Sequence, residues 1–166
     1  KDIAVQYDLA PDLDTIEADA DQINQMLMNL FINAADAMAE GGYLNLTTRN
    51  LTADAMAKST YAPKPGHYVM LRIADTGIGM DQKTMERIFD PFFTTKEMGR
   101  GTGLGLASVY GIVKGHGGYI DVESQPGQGA TFIIYLPASS RIVDTTSPEP
   151  KAIPTGNGTI LLIDDE

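Results

Sequence analysis

The sequence predicts an α/β domain in which helices cover one face of a mixed β-sheet. Residues 19–39 place apolar side chains at intervals of three and four, the spacing of an amphipathic helix. Residues 43–51 and 67–75 alternate between apolar and polar side chains, as strands do. Residues 119–124 and 130–137 flank QPGQG, which is typical of a hairpin. Strands paired as hairpins, with helices between them, favour a sheet with helices on one side.

The first long helix has recognisable signals at both ends. Asp19 and Asp21 are both candidates for its N-cap, and Gly41 and Gly42 follow its last apolar residue. A short strand at residues 3–9, with partial alternation, comes before it.

The middle and the end of the chain contain the remaining elements. Residues 52–66 form a polar stretch with two prolines, which we interpret as a variable loop. A short helix is predicted at 81–89 and a second long helix at 104–116, which Gly117 and Gly118 end. Residues 138–157 are rich in Ser, Thr and Pro, the composition of a linker.

Composition excludes several functional classes. The net charge is −10, which argues against non-specific binding to nucleic acid. Residues 1–21 are strongly acidic, whereas residues 82–101 carry a small cationic excess, where an anionic ligand is expected. No apolar run is long enough for a membrane span, and no signal peptide is visible. The chain has no cysteine, which excludes disulfides and thiolate metal sites. The absence of cysteine is also compatible with the cytoplasm.

Three polar residues share one edge of the first long helix. Asn29, Asn33 and Asp36 lie four and three residues apart, so they fall within roughly 60° of one another around the helix axis. Amide oxygens suit Mg²⁺, although a solvated helix face explains the same pattern. Two asparagines at the centre of a helix still need a reason, since asparagine is a poor helix former.

Three further motifs follow along the chain. DTGIGM at 75–80 directly follows a strand and suits either a turn or a close approach to a flat ligand. FDPFF at 89–93 is typical of a packed loop anchor. GRGTGLGLA at 99–107 matches neither a P-loop nor a dinucleotide-binding turn. It leads into a helix N-terminus, which favours an anion, and a mobile glycine-rich loop is the alternative.

Taken in order, these motifs closely resemble the N, G1, F and G2 boxes of the catalytic ATP-binding domain of sensor histidine kinases. The boxes correspond to NLFINAADAM, DTGIGM, FDPFF and GRGTGLGLA, and the resemblance covers residues 1–137. The wider ATPase group includes gyrase, the MutL proteins and the heat-shock chaperones. The resemblance implies a two-layer α/β sandwich of the Bergerat type, with a mixed, mostly antiparallel sheet and helices on one face.

The resemblance also implies roles at the adenine end of a nucleotide. Asp75 accepts a hydrogen bond from the adenine amino group, Gly79 gives the ring room, and Thr131 supports the contact through water. Asp36 borders the adenine pocket, and Gly77 belongs to the same set.

At the phosphate end, the resemblance assigns Mg²⁺ to Asn33, with Asn29 beside it. Residues 82–101 become an ATP lid that Phe92 and Phe93 anchor. Lys96 and Arg100 are expected phosphate contacts. The backbone that meets the phosphates and completes the nucleotide-binding set comprises Gly101, Thr102, Gly103, Leu104 and Gly105.

The implied activity is transfer of the γ-phosphoryl group of Mg-ATP to a histidine. His67 and His116 lack the sequence context of the family's phospho-acceptor, so the acceptor is expected on a separate dimerisation and phosphotransfer domain of the same parent protein. Gyrase-like relatives have a glutamate where Asn29 stands. An amide cannot act as a general base, which favours a kinase over a hydrolase. A non-catalytic ATP-sensing or docking module and a serine kinase of the same fold are the alternatives.

The end of the chain carries a separate resemblance. TILLIDDE, within residues 158–166, is similar to the first strand and acidic pair of a receiver domain. It implies a hybrid kinase with a receiver domain or response regulator as partner. The fragment is expected in the cytoplasm without direct membrane contact, whether or not its parent is anchored in a membrane. A fortuitous strand with an acidic end is the alternative.

Overall fold

The computed structural model describes residues 2–56, 62–96 and 101–139. The strands are β1 Ile3–Asp8, β2 Gly42–Thr52, β3 His67–Asp75, β4 Tyr119–Ser124 and β5 Ala130–Pro137. The helices are α1 Ala20–Ala37, α2 Gln82–Met85 and α3 Gly105–Gly115, with a 3₁₀ turn at Ala53–Met56. Arg100, residues 140–157 of the predicted linker and the receiver-like end lie outside the described residues.

The five strands form one mixed sheet, in the order β1-β2-β3-β5-β4. β1 runs parallel to β2, and the other three neighbouring pairs are antiparallel. The parallel pair requires a crossover, which α1 provides. The prediction of an α/β fold with a mixed, mostly antiparallel sheet is therefore confirmed.

Both long helices pack on the same face of the sheet and bury one apolar core with it. Met26 and Leu30 of α1 meet Val109 and Val113 of α3 above Ile134 of β5, and all five are at most 1% exposed. Along β5 the side chains alternate, because successive residues of a strand point to opposite faces. Those that face the helices are Ala130, Phe132, Ile134 and Leu136.

The opposite face of the sheet has a smaller apolar cluster of its own. The 3₁₀ turn after β2 places Met56, which is 2% exposed, against Tyr68 and Tyr135. The hydroxyl of Tyr68 donates a hydrogen bond to the carbonyl of Lys64 at 2.9 Å. The stretch predicted as a polar loop therefore includes a packed turn, because Met56 finds an apolar surface on this face.

Asp19 is the N-cap of α1, of the two candidates. Its carboxylate accepts hydrogen bonds from the backbone N–H groups of Asp21 and Gln22, at 2.9 and 3.1 Å. The backbone N–H of Asp19 donates to Nε2 of His116 at 3.1 Å, and Nδ1 of His116 donates to the carbonyl of Ile112 at 2.8 Å. This histidine therefore joins the start of α1 to the end of α3, and the two bonds require its neutral form with the proton on Nδ1.

The sheet contacts continue just past β5. Ala138 forms an isolated antiparallel bridge with Ile16, and the N–H of Ser139 donates to the carbonyl of Thr15 at 2.7 Å. The domain boundary at residue 137 stays a prediction. Among the described residues, no helix combines the length and the apolarity that crossing a membrane requires.

Candidate functional site

Asp75 ends β3 on the face that carries the helices, and it is only 8% exposed. Its Oδ1 atom accepts hydrogen bonds from the backbone N–H groups of Gly77, at 2.8 Å, and Ala130, at 3.3 Å. Burial raises the pKa of this carboxyl above its ordinary value of 3.8, although both hydrogen bonds oppose the shift. The hydrogen bonds from Gly77 and Ala130 both end on Oδ1 and not on Oδ2. The site thus contains a buried acceptor oxygen that can take a donor from a ligand.

Two glycines after Asp75 are required by close backbone packing. A β-carbon on Gly77 would lie 2.6 Å from the carbonyl oxygen of Ala37 in α1. Gly79 has a φ of +65°, and a β-carbon there would lie 2.0 Å from the carbonyl oxygen of Gln125. The resemblance assigns Gly79 to making room for a ligand. The structure shows that the adjoining hairpin already fills the place of its missing side chain.

Substituting Gly79 by alanine is expected to destabilise the protein by about 2 kcal/mol or more, since the clash with Gln125 adds to the unfavourable φ. Gly111 is the matched control. It lies inside α3, and a β-carbon added there would have no atom within 4 Å, so Gly111→Ala is expected to stabilise by about 1 kcal/mol. Urea unfolding of both variants measures the two free energies. Equal effects of the same sign would contradict this account.

Asn29, Asn33 and Asp36 lie together on one edge of α1, as their spacing predicts, and Lys96, which follows the FDPFF motif, contacts the last two of them. The Nζ atom of Lys96 is 2.5 Å from Oδ2 of Asp36 and 3.2 Å from Oδ1 of Asn33. Asp36 therefore directs its carboxylate to Lys96, whereas the resemblance places it beside the adenine pocket. The side-chain oxygen atoms of Asn33 and Asp36 therefore already bind one positive charge, the ammonium of Lys96.

The first turn of α3 lies against the two asparagines. A β-carbon on Gly105 would be 3.6 Å from Oδ1 of Asn29 and 3.7 Å from Nδ2 of Asn33. Leu104 occupies the N-cap position, where no side chain caps the helix, and the first turn contains no acidic residue. Uncapped N–H groups and the positive end of the helix dipole favour an anion such as a phosphate. The two asparagine side chains and the uncapped N–H groups of α3 therefore face the same region.

The segment before α3 packs against the FDPFF motif. Gly103 has a φ of +66°, and a β-carbon there would lie 2.4 Å from the carbonyl carbon of Phe92. Gly101 is close to Thr94, since a β-carbon would be 2.8 Å from its Oγ1. The hydroxyl of Thr102 accepts a hydrogen bond from the N–H of Leu104 at 3.3 Å. The glycines at 101 and 103 thus permit two chain segments to lie side by side.

The two phenylalanines of this motif differ, which corrects the prediction that both are anchors. Phe93 packs against the main core, and the guanidinium of Arg87 lies 4.4 Å from its ring centroid. Phe92 has a φ of +67° and is 75% exposed. Only its backbone is held, through an N–H bond to the carbonyl of Gly103 at 2.9 Å. The left-handed conformation turns its side chain to the surface, so of these two phenylalanines Phe93 is the one that packs against the core.

Thr131 is not brought to Asp75. Its hydroxyl lies 3.4 Å from Nη2 of Arg72, on the face of the sheet away from the helices. Strand alternation explains this, because its neighbour Ala130 occupies the position that faces Asp75 and supplies only a backbone N–H. The reasoning from sequence missed Ala130, as well as Gly129, where a β-carbon would lie 2.0 Å from the carbonyl oxygen of Asp75.

The order and placement of these groups agree with a match to a protein family. Residues 18–140 match the model described as "Histidine kinase-, DNA gyrase B-, and HSP90-like ATPase". The chain belongs to this ATPase family. Its curated relatives include the sensor kinase CckA of Brucella abortus (strain 2308), at 42% identity over all of this chain and 19% of the relative. The sensor histidine kinase ZraS of Escherichia coli (strain K12) is 37% identical over 84% of this chain and 26% of that protein.

Solved structures of histidine kinases share the fold of this ATPase domain. The catalytic domain of histidine kinase ThkA superposes with a TM-score of 0.64 at 32% identity, covering 82% of this chain and 79% of that one. Full-length ShkA in complex with AMPPNP gives a TM-score of 0.65 at 31% identity, and the match covers 82% of this chain and 26% of the ShkA chain. The chain spans about a fifth to a quarter of the length of the two curated relatives, which are much larger proteins.

Proposed function

We propose that this ATPase-family domain binds Mg-ATP and transfers its γ-phosphoryl group to a histidine on a separate domain in two-component signalling. The observation that carries the proposal is the meeting of Asn29 and Asn33 with the uncapped start of α3. Buried Asp75 supplies an acceptor for the base at the other end of the site. The naming of the relatives as sensor kinases supports the same activity.

The residues present fit a magnesium nucleotide. Asn29 and Asn33 offer neutral oxygen atoms, and Lys96 adds a positive charge beside them. The described residues contain no group of three or more His, Cys, Asp or Glu side chains that could hold a metal ion by itself. This donor set suits Mg²⁺, which binds few protein ligands and keeps phosphate oxygens and waters in its shell. Asn33 is the residue we assign to the ion.

The chemistry asked of the protein is mainly positioning and neutralisation of charge. When bound, Mg²⁺ would neutralise charge on the phosphates. The N–H groups at the start of α3 and, by resemblance, Arg100 would hold the phosphates in place. Asp75 would orient the base. An amide at position 29 cannot take a proton from water, so transfer is favoured over hydrolysis.

The phospho-acceptor is proposed to come from another domain of the parent protein. His116 uses both ring nitrogens in structural hydrogen bonds, which leaves neither for attack on a phosphate. His67 lies at the first position of β3, where it pairs with Thr52. A receiver domain or response regulator would then accept the phosphoryl group from that histidine. A cytoplasmic location for this domain belongs to the same proposal.

The proposal is tested by incubating the chain with γ-labelled ATP, Mg²⁺ and a histidine-containing dimerisation domain from the parent. Label that enters the acceptor and is lost in acid is the expected result, since phosphohistidine is acid-labile. Acid-stable label would favour a serine kinase of the same fold. ATP binding without any transfer would favour a non-catalytic sensor or docking module.

A further inference from the structure

Lys96 lies where a cation would be expected only after nucleotide binds. Its ammonium contacts Oδ2 of Asp36 at 2.5 Å and Oδ1 of Asn33 at 3.2 Å. The lysine side chain is 34% exposed and the aspartate 48%, so the pair lies at the mouth of the site. The contact spans two distant parts of the chain, because Lys96 follows the FDPFF motif and both partners belong to α1.

The oxygen atom of Asn33 that Lys96 contacts is the one that the proposed function assigns to magnesium. Two cations bound to one neutral oxygen repel each other strongly at such short separation. An ammonium ion and a divalent ion therefore compete for Oδ1 of Asn33. A nucleotide without metal meets no such competition, since its phosphates can be paired by the lysine itself.

We propose that Lys96 acts as a counterion in the nucleotide-free site, where its ammonium pairs with the carboxylate of Asp36. This inference rests on the proposed function. Asp36 is the positioning residue that holds the ammonium of Lys96 on Asn33. Binding of Mg-ATP then exchanges one cation for another at this oxygen, whereas binding of metal-free ATP retains the lysine. Lys96 and Asp36 together thus set how strongly nucleotide binding depends on magnesium.

The first test compares dissociation constants of the non-hydrolysable analogue AMPPNP in excess Mg²⁺ and in EDTA, by titration calorimetry. In Lys96→Met the metal-free affinity is expected to fall about tenfold, the loss of one charge-assisted contact, while the affinity with Mg²⁺ stays the same or rises because the competing cation is gone. The ratio of the dissociation constant in EDTA to the dissociation constant in Mg²⁺ is therefore expected to rise in Lys96→Met. Lys83→Met is the matched control, because Lys83 lies exposed on α2, and its ratio should equal that of the wild type.

The alternative outcomes separate the two proposals. If Lys96 simply contacts phosphates in both forms, Lys96→Met weakens both affinities by the same factor, and the counterion proposal is overturned. If the wild-type chain binds no nucleotide with Mg²⁺ present, the proposed function fails first. A wild-type chain that binds normally, with an unchanged ratio in the variant, rejects only the further inference.

The second test needs no nucleotide and examines Asp36 directly. Hydrogen exchange at the backbone amides of residues 94–96 is expected to accelerate several-fold in Asp36→Asn, because the ammonium loses its carboxylate partner. Lys96→Met should have the same effect, and the double variant should add nothing. Asp21→Asn, a change of equal charge in the first turn of α1, is the control. Additive effects of the two substitutions would mean that Asp36 acts independently of Lys96 and would overturn its positioning role.

Discussion

Asp75→Asn is expected to stabilise the nucleotide-free domain and to weaken ATP binding at least about 100-fold. The amide keeps an oxygen for the N–H groups of Gly77 and Ala130, so the local fold should persist. Its nitrogen, however, would present a donor where the proposed adenine amino group also donates, and a mismatched buried donor is costly. Titration with AMPPNP measures the loss of affinity.

The gain in stability follows from the sign of the pKa shift. Burial raises the pKa of Asp75 in the folded state, so the folded protein holds this proton more tightly than the unfolded chain does. Below the ordinary value of 3.8 the carboxyl is protonated in both states and costs nothing. As the pH rises through the folded pKa, the proton is lost and stability falls. At neutral pH the ionised carboxylate therefore destabilises the fold, and the asparagine removes that cost.

Urea unfolding at pH 7 and near pH 4 tests this prediction. The variant should exceed the wild type in unfolding free energy at pH 7, and the difference should shrink at the lower pH. Asp14→Asn, at an exposed position in the segment before α1, is the control and should show neither effect. An Asp75→Asn variant that is less stable than the wild type at pH 7 would show that the hydrogen bonds to the carboxylate outweigh the cost of burying its charge.

Asn33→Ala is expected to reduce Mg-ATP-dependent phosphoryl transfer by about 100- to 1,000-fold, the range for removing one group that stabilises developing charge. The change deletes the oxygen that we assign to magnesium and leaves the apolar side of α1 intact. Transfer of label to a supplied histidine domain is the measurement. Asn24→Ala, an exposed asparagine of the same helix, should retain full transfer. Undiminished transfer in Asn33→Ala would reject the assignment of this residue.

The secondary structure could be predicted closely from periodicity, because the strong signals are local ones. The alternation of 67–75 corresponds to β3 with the same bounds, and the hairpin of 119–124 and 130–137 corresponds to β4 and β5. Asn29, Asn33 and Asp36 fall on one helix edge because helical geometry fixes that outcome. Contacts between distant segments are harder to predict. Periodicity within α1 carries no information on Lys96, which approaches Asp36 from 60 residues further along the chain.

The errors at individual residues have the same origin. Motif position assigns Thr131 to Asp75, but the sheet register puts Ala130 there instead. The motif also pairs Phe92 with Phe93 as an anchor, but the positive φ of Phe92 turns its ring outward. Motif spacing counts residues along the chain, whereas the face on which a side chain emerges depends on backbone angles and register. The packing of Met56 escapes prediction for a related reason, since its apolar partners lie on other strands.

The contact between Asp19 and His116 fixes the distance along α1 and along α3 from that contact to the place where Asn29 meets Gly105. At one end Asp19 meets His116, and at the other Asn29 meets Gly105. Asp19 to Asn29 is ten residues and Gly105 to His116 is eleven, or about 15 and 16.5 Å of helix. The two helical segments therefore have nearly equal lengths, and the contact between Asp19 and His116 joins them at the end remote from the proposed nucleotide site. Deleting one residue from either would rotate its far end by about 100° and move Asn29 away from the turn that we propose binds phosphate, without altering any residue there.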